Sequence, residues 1–406
     1  MKKVLVIAAA AILATAGTSF AFHGGGVAHC DGCHSMHAGN GNGRFLSQGP
    51  SLTNAADPSS VCLNCHNGAA RYHVNSDDGS NTNEGGDFHW TRQDNSYTYY
   101  NRGVRSVDPN QKGHNILAAD FGLNNDANLT AAPGGSYLSA GFACTSCHDP
   151  HGQVNGGTKN GMAPISVSGS YGEVPDAGTI AGNYRLLWDS SKVGFSEDAP
   201  IARANSYDGA SVQYGAGMSG WCANCHLGFY TQNTNAGMHP TDVAPPATYN
   251  SYIATGNFNG QQASAYDPLV PIERGGVTAS SELPDPTDPL TAGVGTNGTT
   301  AVMCLTCHRA HASAFDNALR FDYTTSEFIA ESWFTQGQDG VIDDPDGIPE
   351  SGDEVIGDIT NRPADTAAPY YKHGEKVDVA NDPVAAWDGG YGHYQRSLCN
   401  KCHVKD

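Results

Sequence analysis

Apolar residues in this chain are gathered at its start and thinly spread afterwards. Lys2-Lys3 precede an apolar run from Val4 to about Ala16, followed by small residues ending Ser19-Phe20-Ala21. That order predicts a secretory signal peptide over 1–21, and the run is too short for a transmembrane helix. No later stretch is apolar enough to span a bilayer. Asp57-Pro58 predicts a short helix, with Asp as N-cap, Pro at the first helical position and Cys62 inside. Asn95–Asn101 has the aromatic and β-branched content of a strand or hairpin arm. Val302–Arg320 predicts the most regular helix, Gln261 to Val302 a Pro- and Thr-rich loop, and Asp339–Asp358 an acidic Gly/Pro loop.

Only 39% of residues are hydrophobic and 50 are Gly, so the side chains alone would build a thin core. The cysteines say what else fills the interior. All 12 fall in six Cys-x-x-Cys-His motifs: Cys30/Cys33, Cys62/Cys65, Cys144/Cys147, Cys222/Cys225, Cys304/Cys307 and Cys399/Cys402. This is the attachment signature of c-type haem: the thiols add to the vinyl groups and the following His binds iron. The proximal ligands are then His34, His66, His148, His226, His308 and His403. No thiol remains for a disulfide or a lipid anchor. The fold class implied is a multihaem cytochrome c: mostly irregular coil, with short helices and a few short strands, packed around six haems. It reads as a single domain over 22–406, and the similar spacing of the middle motifs hints at a repeat without a strong repeated sequence.

Six irons need six further axial ligands, and 11 of the 17 His lie outside the motifs to supply them. His37, His151 and His311 each lie three residues beyond a proximal His. On one helical turn the two rings would point the same way, so each is expected to serve a different haem. His114 and His239 sit in Gly- or Pro-flanked turns that can aim a ring, and His73 closely follows the second motif. His23 is held in reserve. His29, His89, His373 and His393 read as surface or supporting residues. Met36, Met218 and Met303 stand too close to their own motifs to be ligands.

The chain has 21 Lys and Arg, two of them in the leader, against 41 Asp and Glu. That balance excludes nucleic acid as a partner, because phosphates need a basic footprint. It suits an extracytoplasmic surface meeting basic partners or metal cations. The run Asp343-Asp344-Pro345-Asp346-Gly347 offers oxygen ligands but does not match the EF-hand pattern, and reads as a solvated loop.

Several stretches resemble the outer-surface hexahaem cytochromes of the OmcS type from metal-reducing bacteria. They are Phe22-His23, Cys30–His37 (CDGCHSMH), Lys112–Ile116 (KGHNI), Cys147–Gly152 (CHDPHG), Gly217–His226 (GMSGWCANCH), Cys304–Ser313 (CLTCHRAHAS) and Leu398–His403 (LCNKCH). The resemblance implies an extracellular electron carrier without substrate chemistry, polymerised head to tail into filaments with a continuous line of bis-His haems. It further implies that His37 completes the haem on Cys304/Cys307 of the next subunit. Other redox cytochromes and extracellular metal oxides would be its partners. Two other readings use the same residues. A monomeric periplasmic shuttle would take every distal ligand from its own chain; a multihaem reductase would need a five-coordinate haem.

Overall fold

The computed structural model describes residues 30–35, 50–68, 73–77, 79, 81, 84–92, 97–100, 104–150, 186–190, 192–204, 212–231, 239–250, 266, 270–285, 292–295, 298–313, 315–320 and 402–403. The signal peptide, His23, His29, His37, Met36, His151, the acidic stretch 339–358, His373, His393 and Cys399 lie outside these. Among the described residues no helix is long and apolar enough to cross a membrane.

The described helices are short and built on haem motifs: α1 Cys30–Cys33, α2 Pro58–His66, α3 Cys144–Cys147, α4 Met218–Thr231 and α5 Cys304–Cys307. As the sequence predicts, α2 starts at Asp57, whose carboxylate accepts the Ser60 N–H at 2.8 Å. The same side chain also accepts the Ala119 N–H at 2.8 Å, tying the helix to a turn far along the chain. The predicted helix over Val302–Arg320 does not form. Only α5 is α-helical there, His308 is already extended (φ −110°, ψ 154°), and the remainder includes a single 3-10 turn at Asp316–Ala318.

The hairpin arm is present: β1 Tyr97–Tyr100 pairs antiparallel with β2 Val104–Val107. A second, mixed sheet has the order β3 (Ala202–Ala204), β4 (Val212–Gly215), β5 (Glu273–Gly275), β6 (Thr299–Ala301), with only the central β4–β5 pair parallel. Part of the expected loop Gln261 to Val302 therefore supplies two strands. Each has three residues, too short to show alternation in sequence, and its pairing is set by neighbours.

The apolar core is as thin as the composition implies. One cluster joins Leu187, Ala202, Val212, Tyr214, Met218, Met303 and Leu305; another joins Leu63, Phe88, Ile116, Ala118 and Leu123. A buried Leu, Met or Phe contributes about 1.5–3 kcal/mol, while ordering each residue costs roughly 1–2 kcal/mol of backbone entropy alone. Clusters of this size need further buried material, which six macrocycles would supply.

Polar contacts close the fold over a long sequence interval. Glu84 is buried against Arg320 (2.9 Å) and Arg309 (3.5 Å), and buried Lys112 pairs with Asp316 (2.9 Å). Backbone bonds run beside them, from His311 N–H to the Gly85 carbonyl (2.7 Å) and from Asp87 N–H to the Ala312 carbonyl (3.0 Å). Gly86 sits inside this clasp at φ +89°, and a Cβ there would lie 1.9 Å from the Ala312 oxygen. Gly86→Ala is therefore expected to cost at least about 2 kcal/mol, read as a lowered midpoint in guanidinium unfolding.

Glu273 on β5 is buried, and its Oε2 accepts the N–H groups of Gly217 and Met218 at 3.2 Å each, anchoring the start of α4. Burial pushes its carboxyl up to about 8, and nearby Asp242 adds to the rise against the pull of those N–H groups. The folded chain thus holds a proton that the unfolded chain gives up near 4.5. The resulting stability is complete below that value, declines as pH rises and is lost above about 8. Glu273→Gln should flatten this decline, whose slope is at most about 1.4 kcal/mol per pH unit, in denaturation curves taken from pH 5 to 9.

Candidate haem centres

The first, third and fifth motifs share one backbone device. After the helix, the proximal His is extended and forms an antiparallel bridge with a later segment: His34 with Thr53, His148 with Leu187, His308 with Leu319. Each bridge has the same two bonds. In the first, Ser35 N–H donates to Leu52 O (2.7 Å) and Asn54 N–H to Cys33 O (2.9 Å); in the third, Asp149 N–H donates to Leu186 O (2.7 Å) and Trp188 N–H to Cys147 O (3.0 Å). In the fifth, Arg309 N–H donates to Ala318 O and Arg320 N–H to Cys307 O, both at 2.7 Å. The first carbonyl of each pair belongs to a left-handed residue: Leu52 (φ 60°), Leu186 (φ 55°) or Ala318 (φ 53°). Three such strained turns cost about 1–3 kcal/mol each, an investment that fixes the proximal His backbone.

The second and fourth motifs are built otherwise. Ser59, three residues before Cys62, accepts the N–H of Cys144 at 3.0 Å; Ser219, three residues before Cys222, accepts that of Cys304 at 3.2 Å. Both serines are buried. The thiols of Cys62 and Cys144 stand within hydrogen-bond reach of one another, as do those of Cys222 and Cys304. Motifs two and three therefore form one close pair and motifs four and five another. The repeat hinted at by motif spacing lies in this backbone pattern. Its one trace in the sequence is Ser-x-x-Cys before motifs two and four.

Among the described cysteines Cys65 alone is exposed. Cys65 stands in the last turn of α2 and is exposed, whereas Cys62 of the same motif is drawn inward against Cys144. The Cys62 thiol donates to the Pro58 carbonyl at 3.2 Å. Cys402 is half-buried beside His403, but its motif partner Cys399 lies outside the described residues.

The ring nitrogens are set for metal. Nδ1 faces a backbone carbonyl at His34 (Ser51, 2.9 Å), His114 (Ala310, 2.7 Å), His226 (Pro133, 2.8 Å) and His308 (Asn317, 2.7 Å). A carbonyl can only accept, so Nδ1 carries the proton and Nε2 keeps its lone pair. His239 makes a longer bond of this kind to Pro240 (3.3 Å). Burial pushes His114 down to about 4 and lowers His308 as well, so both rings are neutral at physiological pH.

Second imidazoles face three of the proximal rings. Ring centres are 6.3 Å apart for His148 and His311, 5.9 Å for His114 and His226, and 5.9 Å for His239 and His403. Two metal–nitrogen bonds of about 2 Å, with roughly 1 Å from each nitrogen to its ring centre, put the centres about 6 Å apart across one metal. Each pair can take one iron between its rings. The premise that His308 and His311 share a helical turn is corrected, because the helix ends at Cys307. The same holds for His148, extended at φ −106°, ψ 139°. Leaving the helix is what lets each proximal residue join its bridge. His311 stands instead beside His148, stacked on Phe88 at 4.9 Å, and Gly85 makes room for it: a Cβ there would lie 2.6 Å from the ring.

His73 packs over Gly68, near the end of α2, at 3.5 Å from where a Cβ would be. His89 is half-buried, with Nδ1 on the Ser76 carbonyl at 3.3 Å. Met218 and Met303 are buried core residues. Among the described residues no second imidazole stands at the paired spacing from His308. Leu227 and Phe229, exposed apolar side chains on α4 after His226, offer the kind of surface a porphyrin covers, and the Phe229 ring lies parallel to His226 at 6.1 Å.

Paired thiols, a His after every motif and facing imidazoles define a multihaem c-type cytochrome. No family model matches the chain. It is, however, 35% identical to the C-type cytochrome OmcS of Geobacter sulfurreducens over an alignment of 467 positions, covering all of this chain and 99% of that one. Two solved structures agree: OmcS nanowires (TM-score 0.66) and the Outer Membrane Cytochrome S filament (TM-score 0.65), both from Geobacter sulfurreducens. Each is 34% identical, covering 95% of this chain and the whole of the other. The chain belongs to the OmcS family of c-type cytochromes; it is an electron-transfer protein with haem c as cofactor, one for each of its six motifs.

Proposed function

We propose that this protein conducts electrons over long distances outside the cell, as a head-to-tail polymer with six bis-His haems in every subunit. Haem c supplies a one-electron iron couple, and the protein fixes its spacing, ligation and potential. The three facing imidazole pairs carry the reading. They assign His311 to the iron on His148, His114 to that on His226 and His239 to that on His403. His73 and His151, with His23 in reserve, then serve the irons on His34 and His66. For His308 the neighbouring subunit's His37 is the ligand, which makes the subunit joint a metal bond. Two imidazoles on every iron leave no position for substrate, so no catalysis occurs at the haems.

Export through the signal peptide over 1–21 and a single domain over 22–406 complete the reading. Other cytochromes donate the electrons, and extracellular metal oxides or similar acceptors take them. Cryo-electron microscopy of haem-staining material sheared from the cell surface tests it. Filaments in which the neighbour's His37 sits on the His308 iron are expected. Single particles with all six irons satisfied internally would replace the conductor with a monomeric periplasmic shuttle.

A further inference from the structure

We propose that Lys192 is the cation that raises the reduction potentials of two haems, those on Cys144/Cys147 and Cys222/Cys225, from the junction between α3 and α4. The inference rests on the haem reading above. Lys192 Nζ donates to the carbonyls of Thr145 (3.3 Å) and Ser146, both inside the third motif. It also stands over three aromatic rings: Phe195 at 4.8 Å, Trp188 at 5.1 Å and Tyr137 at 5.8 Å. These rings are anchored to both motifs. The Trp188 indole donates to Thr145 O (2.8 Å), the Trp188 carbonyl accepts the Trp221 indole N–H (2.8 Å), and Phe195 packs edge-on against Trp221 (6.2 Å). Trp221 directly precedes Cys222. The ammonium is thus fixed within electrostatic reach of Cys147 and Cys225 together.

Thioethers on these cysteines would bring that edge of each haem nearest to Lys192, with the propionates on the far edge, so the ammonium would act on the ring and not as a propionate counter-ion. Asp149 is the carboxylate that faces it, yet among the described residues none lies within ion-pair distance of Nζ. In a chain of net charge −20, a half-buried cation with no carboxylate at ion-pair distance among the described residues is unusual. A positive charge stabilises an arriving electron. At about 10 Å and an effective dielectric of about 20, one unit charge changes an oxidised-to-reduced ratio roughly tenfold. The plain structural alternative is a cap on the last carbonyls of α3. Gln can donate to those carbonyls without the charge, which separates the two roles.

The test uses full-length holoprotein as wild type, Lys192→Gln, Lys192→Arg and Asp149→Asn, with haem counted first by pyridine haemochrome. Fewer than six haems in the wild type would overturn the haem reading rather than the role of Lys192. With six present, spectroelectrochemical titration should place two haems of Lys192→Gln roughly tenfold lower in oxidised-to-reduced balance, or about 59 mV. Lys192→Arg should follow the wild type, and the displacement should persist at high ionic strength because the charge is half-buried. Asp149→Asn should move the same two haems upward, which keeps the proposal testable if Lys192→Gln assembles poorly. Curves of Lys192→Gln that match the wild type, Gln and Arg variants displaced alike, or an unmoved Asp149→Asn would each overturn it.

Discussion

Replacing His37 with alanine is expected to abolish end-to-end assembly while the chain keeps all six haems. Covalent attachment depends on the Cys pairs and the proximal His, none of which the substitution touches. What it removes is the ligand assigned to the iron on His308. That proximal ring is positioned independently, its Nδ1 bonded to the Asn317 carbonyl at 2.7 Å and its backbone bridged to Leu319. One iron in six would therefore open to solvent and turn high-spin. Light scattering should report monomers or short oligomers, against the filaments expected of the wild type. Added imidazole should refill the iron and restore the low-spin spectrum without restoring length. Intact filaments from His37→Ala would refute the intersubunit role.

The second large effect is expected at His114, whose loss acts inside one subunit. Its ring faces His226 at 5.9 Å, stacks on Phe142 at 5.5 Å and donates to Ala310, a residue far along the chain. His114→Ala should leave the iron on His226 five-coordinate, giving a high-spin ferric signal and binding about one CO per chain, while filaments persist. His114→Met is the sharper variant. A thioether in place of the imidazole raises a haem's potential, so one haem should titrate above its wild-type position. A low-spin spectrum unchanged in His114→Ala would remove His114 from the ligand set.

Chemistry was more legible in this chain than shape. The Cys-x-x-Cys-His pairs are local, covalent signals that need no fold to interpret them, and they were enough for the cofactor and its number. That the Cys62 thiol meets Cys144 of the next motif was not legible, because the two are far apart in sequence. Asp57-Pro58 likewise gave α2, since an N-cap acts over three residues. The helix expected over Val302–Arg320 failed because His308 must leave helical geometry to pair with Leu319, and pairing of this kind leaves no periodic trace. His311 was singled out through a helical turn that is not there. Its position beside His148 comes from Gly85, Phe88 and the backbone of 84–87, residues too far away in sequence to be read with it. Lys192 carried no motif at all; only the converging carbonyls and rings reveal it.

The clasp that joins 84–87 to 309–313 also dictates a schedule. His114 gains its orienting carbonyl only when Ala310 has arrived, and Glu84 meets its guanidinium partners only with Arg309 and Arg320. A chain emerging N-terminus first would have five motifs exposed before any of these contacts could form. Haem can therefore be ligated onto an open, accessible chain, and the late arrival of residues 309–320 seals the product. Chains cut short before that point are expected to hold early haems in an unsealed fold, open to protease at 84–87.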